Sequence, residues 1–174
     1  VGSNEHDLFS LAPQIPEQFH VVSLRAPFRM GPGAFAWFDF SIEPHGERTI
    51  NEPQEAESRT LLEQAVAQAA QQLGIAADHV VVGGFSQGGI MALSLLLSRP
   101  ELMRAALVWH SRLLAQIVPH IAPADAFHGK HLWLSHGTQD NVIPLPAAQP
   151  TRRQVQPLPC PLGSEGSNGA HETR

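Results

Sequence analysis

His79-Val80-Val81-Val82-Gly83-Gly84-Phe85-Ser86-Gln87-Gly88-Gly89 is the stretch from which the fold is read. A β-type run enters the glycines and the serine, and Ile90-Met91-Ala92-Leu93 then resumes with helical spacing. The local pattern is strand, sharp turn, helix, with a serine held up at the turn. A serine hydroxyl becomes a useful nucleophile when it is exposed, close to a base and next to backbone N–H groups able to receive an oxyanion. Glycines on both sides of Ser86 permit strained backbone and close approach, and a helix starting at Gln87 adds the positive end of its dipole. The plainer alternative is a glycine-rich turn whose serine caps the helix, a position that Ser favours.

Working outward, residues 54–73 give the clearest helix, with Leu62, Val66, Ala69 and Leu73 on one stripe and Gly74 just past its end. After the elbow, a helix should run to about Ser98 and stop before Pro100. Residues 105–109 read as a strand, residues 131–135 as the next, and residues 20–24 as an earlier one ended by Arg25-Ala26-Pro27. Leu8, Leu11 and Ile15 suggest a short helix interrupted at Pro13 and Pro16. Strands that alternate with helices and are apolar on both faces imply an α/β fold, a mostly parallel sheet with helices on both faces, forming one domain over residues 1–174. Ligands of such sheets sit beyond the carboxyl ends of the strands, where Ser86 stands.

Residues 28–53 read as irregular, punctuated by Gly and Pro, yet Phe28, Phe35, Trp37, Phe38 and Phe40 cluster there. Either they pack onto the core or they cover an acyl-binding cleft. Residues 149–168 are Pro-rich and aperiodic, support neither helix nor ordered strand, and read as an atypical, disordered insert.

Composition narrows the function. A chain of 174 residues with 43% apolar content can bury one substantial core. A net charge of −5 offers no basic field for nucleic acid or an anionic membrane surface. One cysteine, Cys160, cannot form an internal disulfide, and no apolar run approaches the ~20 residues of a membrane span. The expected setting is the cytoplasm, without stable membrane insertion. The absence of an initiator Met points to a processed, cut or fragmentary start.

The acid partner for Ser86 is expected at Asp140, in the turn-rich His136-Gly137-Thr138-Gln139-Asp140 after a strand, where a carboxylate is rigidly held. An Asx turn is the other role open to it. Along such chains the base follows the acid, and His171 is the one histidine after Asp140. His136 reads as a structural hydrogen-bonding residue, while His110, ending a strand, is placed to line the cleft. His128 and His131 lack a third ligand at zinc-binding spacing, and no cofactor is implied.

Together Val1-Gly2-Ser3-Asn4-Glu5, Arg25-Ala26-Pro27, Gly31-Pro32-Gly33, Ala36-Trp37-Phe38-Asp39, Gly84-Phe85-Ser86-Gln87-Gly88-Gly89, His136-Gly137-Thr138-Gln139-Asp140 and Val142-Ile143-Pro144 resemble the phospholipase/carboxylesterase family of α/β-hydrolases. Acyl-protein thioesterases and small bacterial esterases belong to it. The resemblance implies hydrolysis of small-molecule esters or thioesters through an acyl-serine, with Ser86 as nucleophile, Asp140 as acid and His171 as base. It also implies an oxyanion hole from the N–H groups of Gln87 and Val1, the latter from the end of a His-Gly-x-Gly loop. Phe35, Trp37, Phe38 and His110 are the expected substrate contacts.

The chain departs from the family in three places. A central strand before Val1 and a C-terminal helix are missing, and residues 149–168 do not look like the helix and strand before the catalytic histidine. Family-like sequence on both sides of that insert reads as a shifted reading frame. An unpaired strand edge would favour a homodimer. Two functions therefore stand side by side. One is a serine esterase for short to medium acyl chains, with ester, thioester and lipid not separated. The other is a catalytically impaired fragment that binds a ligand or partner. A nucleotide-binding protein is disfavoured, because neither G-x-G-x-x-G nor a Walker lysine follows a strand.

Overall fold

The computed structural model describes residues 1–44, 48–137, 139–140, 142–143 and 145–167. The chain forms two compact units, Val1–Thr60 and Leu61–Arg174.

The first unit begins with helix α1 (Glu5–Phe9). Asn4 caps it by accepting the His6 N–H at 3.0 Å, and Asp7 reaches back in a capping box. A 3₁₀ turn at Ala12–Gln14 follows, so the interrupted helix lies nearer the chain start than its apolar spacing suggested. Residues 20–24 are not a strand, which corrects the expectation. Their exposure still alternates, with Val22 54% exposed, but among the described residues no strand pairs with their backbone. Arg25 donates to both carboxylate oxygens of Glu5, Nε–H···Oε2 being 2.6 Å, and this pairing holds the Glu5 carboxyl at about 2.

In the stretch 28–53, expected to be irregular, four short strands pair antiparallel: β1 (Phe28–Gly31) with β2 (Ala34–Ala36), and β3 (Phe40–Ile42) with β4 (Arg48–Ile50). Gly33 at φ +69° supplies the left-handed backbone that the first tight turn needs. Gly31, Pro32 and Gly33, which looked like loop signals, are thus the strand end and turn of the first hairpin. Phe38 is buried, Phe35 and Trp37 half-buried, and the Arg25 guanidinium lies 4.7 Å from the Phe35 ring centre.

Helix α2 (Glu52–Leu73) starts where Asn51 Oδ1 accepts the Gln54 N–H at 3.2 Å. Its buried stripe is Glu55, Ser58, Leu62 and Val66; Leu73, expected on that stripe, is exposed. Gly74 at φ +67° ends it in a Schellman motif, with Ile75 N–H on Ala70 O and Gly74 N–H on Gln71 O.

The second unit holds a four-stranded parallel sheet of β5 (Val81–Phe85), β6 (Ala105–Trp109), β7 (His131–Gly137) and β8 (Leu162–Ser167), in that spatial order. Helix α3 (Gln87–Ser98) joins β5 to β6. Its residues from Gly89 to Leu97 are all buried, as expected for a helix that is apolar all round. Each fully buried leucine contributes about 1.5–3 kcal/mol. Leu132, Ala106, Val108, Ile117 and Phe127 extend this core.

The Pro-rich stretch expected to carry neither helix nor strand contains helix α4 (Leu145–Val155) and then β8. Among the described side chains of α4, Thr151 and Val155, four apart, are buried, and Thr151 Oγ1 accepts the Leu113 N–H at 2.7 Å. Strand β8 adds to the edge of β7 through its main chain. A Cβ on Gly163 would lie 2.1 Å from the Trp133 ring, so the glycine makes room for the indole. No helix among the described residues is long and apolar enough to cross a membrane.

Candidate active site

Strand β5 runs straight into Ser86, and space dictates the glycines around it. A Cβ on Gly84 would stand 2.2 Å from the Gly88 carbonyl oxygen, and one on Gly89 would stand 2.8 Å from both Gly84 O and Ser111 Cβ. Only glycine lets strand and helix approach this closely. The chain then reverses at Ser86 with φ 53° and ψ −118°, a left-handed, strained conformation for a residue with a side chain.

Main-chain bonds hold that conformation. Ser86 N–H donates to Trp109 O at 2.9 Å, while Ser86 O accepts from Ile90 N–H at 3.0 Å and from the Ser111 hydroxyl at 2.9 Å. The Ser86 side chain makes no capping bond, which removes the plainer reading of this serine. Gln87 opens α3, so its N–H belongs to the positively polarised end of the helix.

Asp140 is buried three residues beyond β7. Its Oδ1 accepts the N–H groups of Val142 at 2.9 Å and Ile143 at 2.8 Å, so the Asx turn does form. Its other oxygen faces two imidazoles: Oδ2 lies 3.0 Å from His110 Nδ1 and 3.6 Å from His136 Nε2. His136 Nε2–H donates to Ile143 O at 2.7 Å, which makes His136 a brace of the loop, the structural role expected for it.

His110 was expected at the cleft, and sequence reasoning gave it no partner. In the structure it is one residue past β6, as Ser86 is one residue past β5, and Phe85 pairs with Trp109 in the parallel register. At φ 50° it is also left-handed, so the two positive-φ non-glycine residues among those described occupy matching positions on neighbouring strands. The signal available beforehand was this equal offset from two strand ends.

Of the remaining expected site residues, Val1, Phe35, Trp37 and Phe38 belong to the first unit. There Gly2 N–H donates to Phe35 O at 2.9 Å, and Ser3 bridges the same residue. His171 lies outside the described residues. Among the described residues, no group of three His, Cys, Asp or Glu side chains comes together to hold a metal ion.

Comparison with known proteins agrees with this fold. Residues 2–158 match the family described as Phospholipase/Carboxylesterase. Acyl-protein thioesterase 1 of Eremothecium gossypii is 32% identical over 93 residues, which is 53% of this chain and 37% of that protein. The chain thus spans little more than a third of that relative's length in the match. The crystal structure of the Bacillus cereus carboxylesterase superposes with a TM-score of 0.82 at 20% identity, over 99% of this chain and 77% of the other. That of a carboxylesterase from Mesorhizobium loti superposes with a TM-score of 0.81 at 21% identity, over 99% and 78%. At these identities the superpositions establish the α/β-hydrolase fold.

Proposed function

Because the chain belongs to the phospholipase/carboxylesterase family, we propose that it hydrolyses carboxylic esters of short to medium acyl chains, thioesters among them, through an acyl-serine on Ser86. The observation that carries this reading is the backbone at Ser86, left-handed and braced by two main-chain hydrogen bonds and one from the Ser111 hydroxyl, while its own hydroxyl is not used as a cap. Strain of this kind is retained where it presents a reacting group.

The hydroxyl oxygen attacks the acyl carbon as an imidazole takes its proton, and the carbonyl oxygen becomes an oxyanion. The Gln87 N–H, at the start of α3, is one donor for that charge. Asp140 orients the imidazole, and burial together with two N–H donors keeps its carboxylate in one position.

A fluorophosphonate probe tests the reading directly. Wild type becomes labelled at Ser86 and gives an acyl burst with p-nitrophenyl acetate, and Ser86→Ala does neither. A folded wild type that behaves like Ser86→Ala would instead make the chain a ligand- or partner-binding module on a hydrolase fold.

A further inference from the structure

We infer that Ser111 is a positioning residue for acyl transfer: its hydroxyl and the Trp109 carbonyl clamp the strained backbone of Ser86 from opposite sides. The inference rests on the acyl-serine reading above and names what holds the nucleophile in place.

A backbone conformation is held when the groups on both sides of its Cα are anchored, the N–H side through φ and the C=O side through ψ. At Ser86 the N–H donates to Trp109 O at 2.9 Å, which anchors φ at 53°. The carbonyl, turned by a ψ of −118°, accepts the Ser111 hydroxyl at 2.9 Å. Its other bond, from Ile90 N–H at 3.0 Å, is the one that any residue before a helix receives. Ser111 adds a bond that the helix by itself does not provide.

Both anchors come from Trp109-His110-Ser111, at the end of β6 and just beyond it. In an uninterrupted strand, position 111 would lie about 6.6 Å farther along than position 109. The left-handed φ of 50° at His110 breaks that course, so a main-chain oxygen at 109 and a side-chain oxygen at 111 reach the same residue. This gives the second strained residue of the sheet edge a task. The bare Cα of Gly89 makes the approach possible: a Cβ there would stand 2.8 Å from Ser111 Cβ and 3.0 Å from its hydroxyl oxygen. Ser111 itself is 6% exposed, so water competes little for its hydroxyl.

The consequence reaches one residue farther. A peptide unit is planar, so fixing Ser86 O also fixes the plane that holds the Gln87 N–H. A bond accepted by the carbonyl polarises the amide and strengthens its N–H as a donor. One hydroxyl thus bears on the seat of the nucleophile and on the donor that the reading above gives to the oxyanion. Because that charge exists only in the transition state, the effect falls on turnover and not on substrate binding.

The test uses the full chain as wild type, Ser86→Ala, Ser111→Ala and Leu95→Ala, with p-nitrophenyl acetate as substrate and an alkyl trifluoromethyl ketone as a tetrahedral-adduct inhibitor. Ser111→Ala is expected to lower kcat roughly tenfold, the kinetic equivalent of one neutral hydrogen bond, with KM unchanged within about twofold. Its affinity for the trifluoromethyl ketone should fall by the same factor. Leu95→Ala, which removes a buried side chain of α3 and costs more stability, controls for general loosening and should keep kcat within about twofold. An active wild type in which Ser111→Ala retains kcat, changes KM alone or loses no more than Leu95→Ala overturns the clamp and leaves the esterase standing. A wild type no faster than Ser86→Ala overturns both.

Discussion

Helix α3 buries ten of its twelve residues, whereas helix α1 buries none. The same contrast runs through the two units. In Leu61–Arg174 the parallel ladder and α3 share an apolar core in which Leu93, Leu95 and Leu97 have no exposed surface. In Val1–Thr60 the strands are three or four residues long, and Leu8, Phe9, Leu11, Phe19 and Val22 are each about half exposed. One unit is held by burial and by shape. The other relies more on local hydrogen bonds and ion pairs, such as the capping box and Glu5–Arg25. Ser86, His110 and Asp140 all belong to the unit with the larger buried core, the kind of rigid scaffold on which a site is best held.

Gly84→Ala challenges the contrast hardest. Its methyl would meet Gly88 backbone, which cannot swing aside as a side chain can, so a loss on the order of 4 kcal/mol is expected in urea unfolding. Retained stability would mean that strand and helix are looser at the elbow than their contact implies. Leu95→Ala removes a side chain with no exposed surface and should cost about 3 kcal/mol by the same measurement, from lost transfer energy and a cavity.

The smallest effect comes from acid. The Glu5 carboxyl is at about 2 in the folded state, against an ordinary value near 4.5, because Arg25 bonds it. A depressed carboxyl stabilises the fold above its unfolded value, and that contribution fades as the pH falls from about 4.5 toward 2. Hydrogen exchange across this window should show the amides of α1 and of residues 20–25 opening before those of β5, β6 and β7. Simultaneous opening would erase the distinction between the units.

The legible part of the fold was the part governed by periodicity. Helices α2 and α3 and strands β5, β6 and β7 carry their apolar patterns in plain view, and the glycines at 74 and 84 mark a helix end and an elbow. The strands within residues 28–50 escaped because elements so short contain no full period, and the turn residues of the first pair look like loop. Strand β8, Leu-Gly-Ser-Glu-Gly-Ser, has almost no β-propensity; the main chain of β7 recruits it, and pairing overrides composition. Helix α4 tolerates Pro150 because Thr151 and Val155 face inward and tertiary packing outweighs propensity. At the candidate site, the sharp bend at Ser86 and the turn at Asp140 were readable from motif and turn residues. The Asp140–His110 contact was not, because residues 30 positions apart meet only through strand order, which no local pattern encodes.

The register of β5 against β6 works like a two-pin socket of fixed pitch. Five consecutive residue pairs set the distance between the two positions that follow, with the spacing determined by amide bonds and not by what is plugged in. A thiol at the first pin therefore inherits the same seat, whereas a carboxylate at the second would face the buried Asp140 carboxylate.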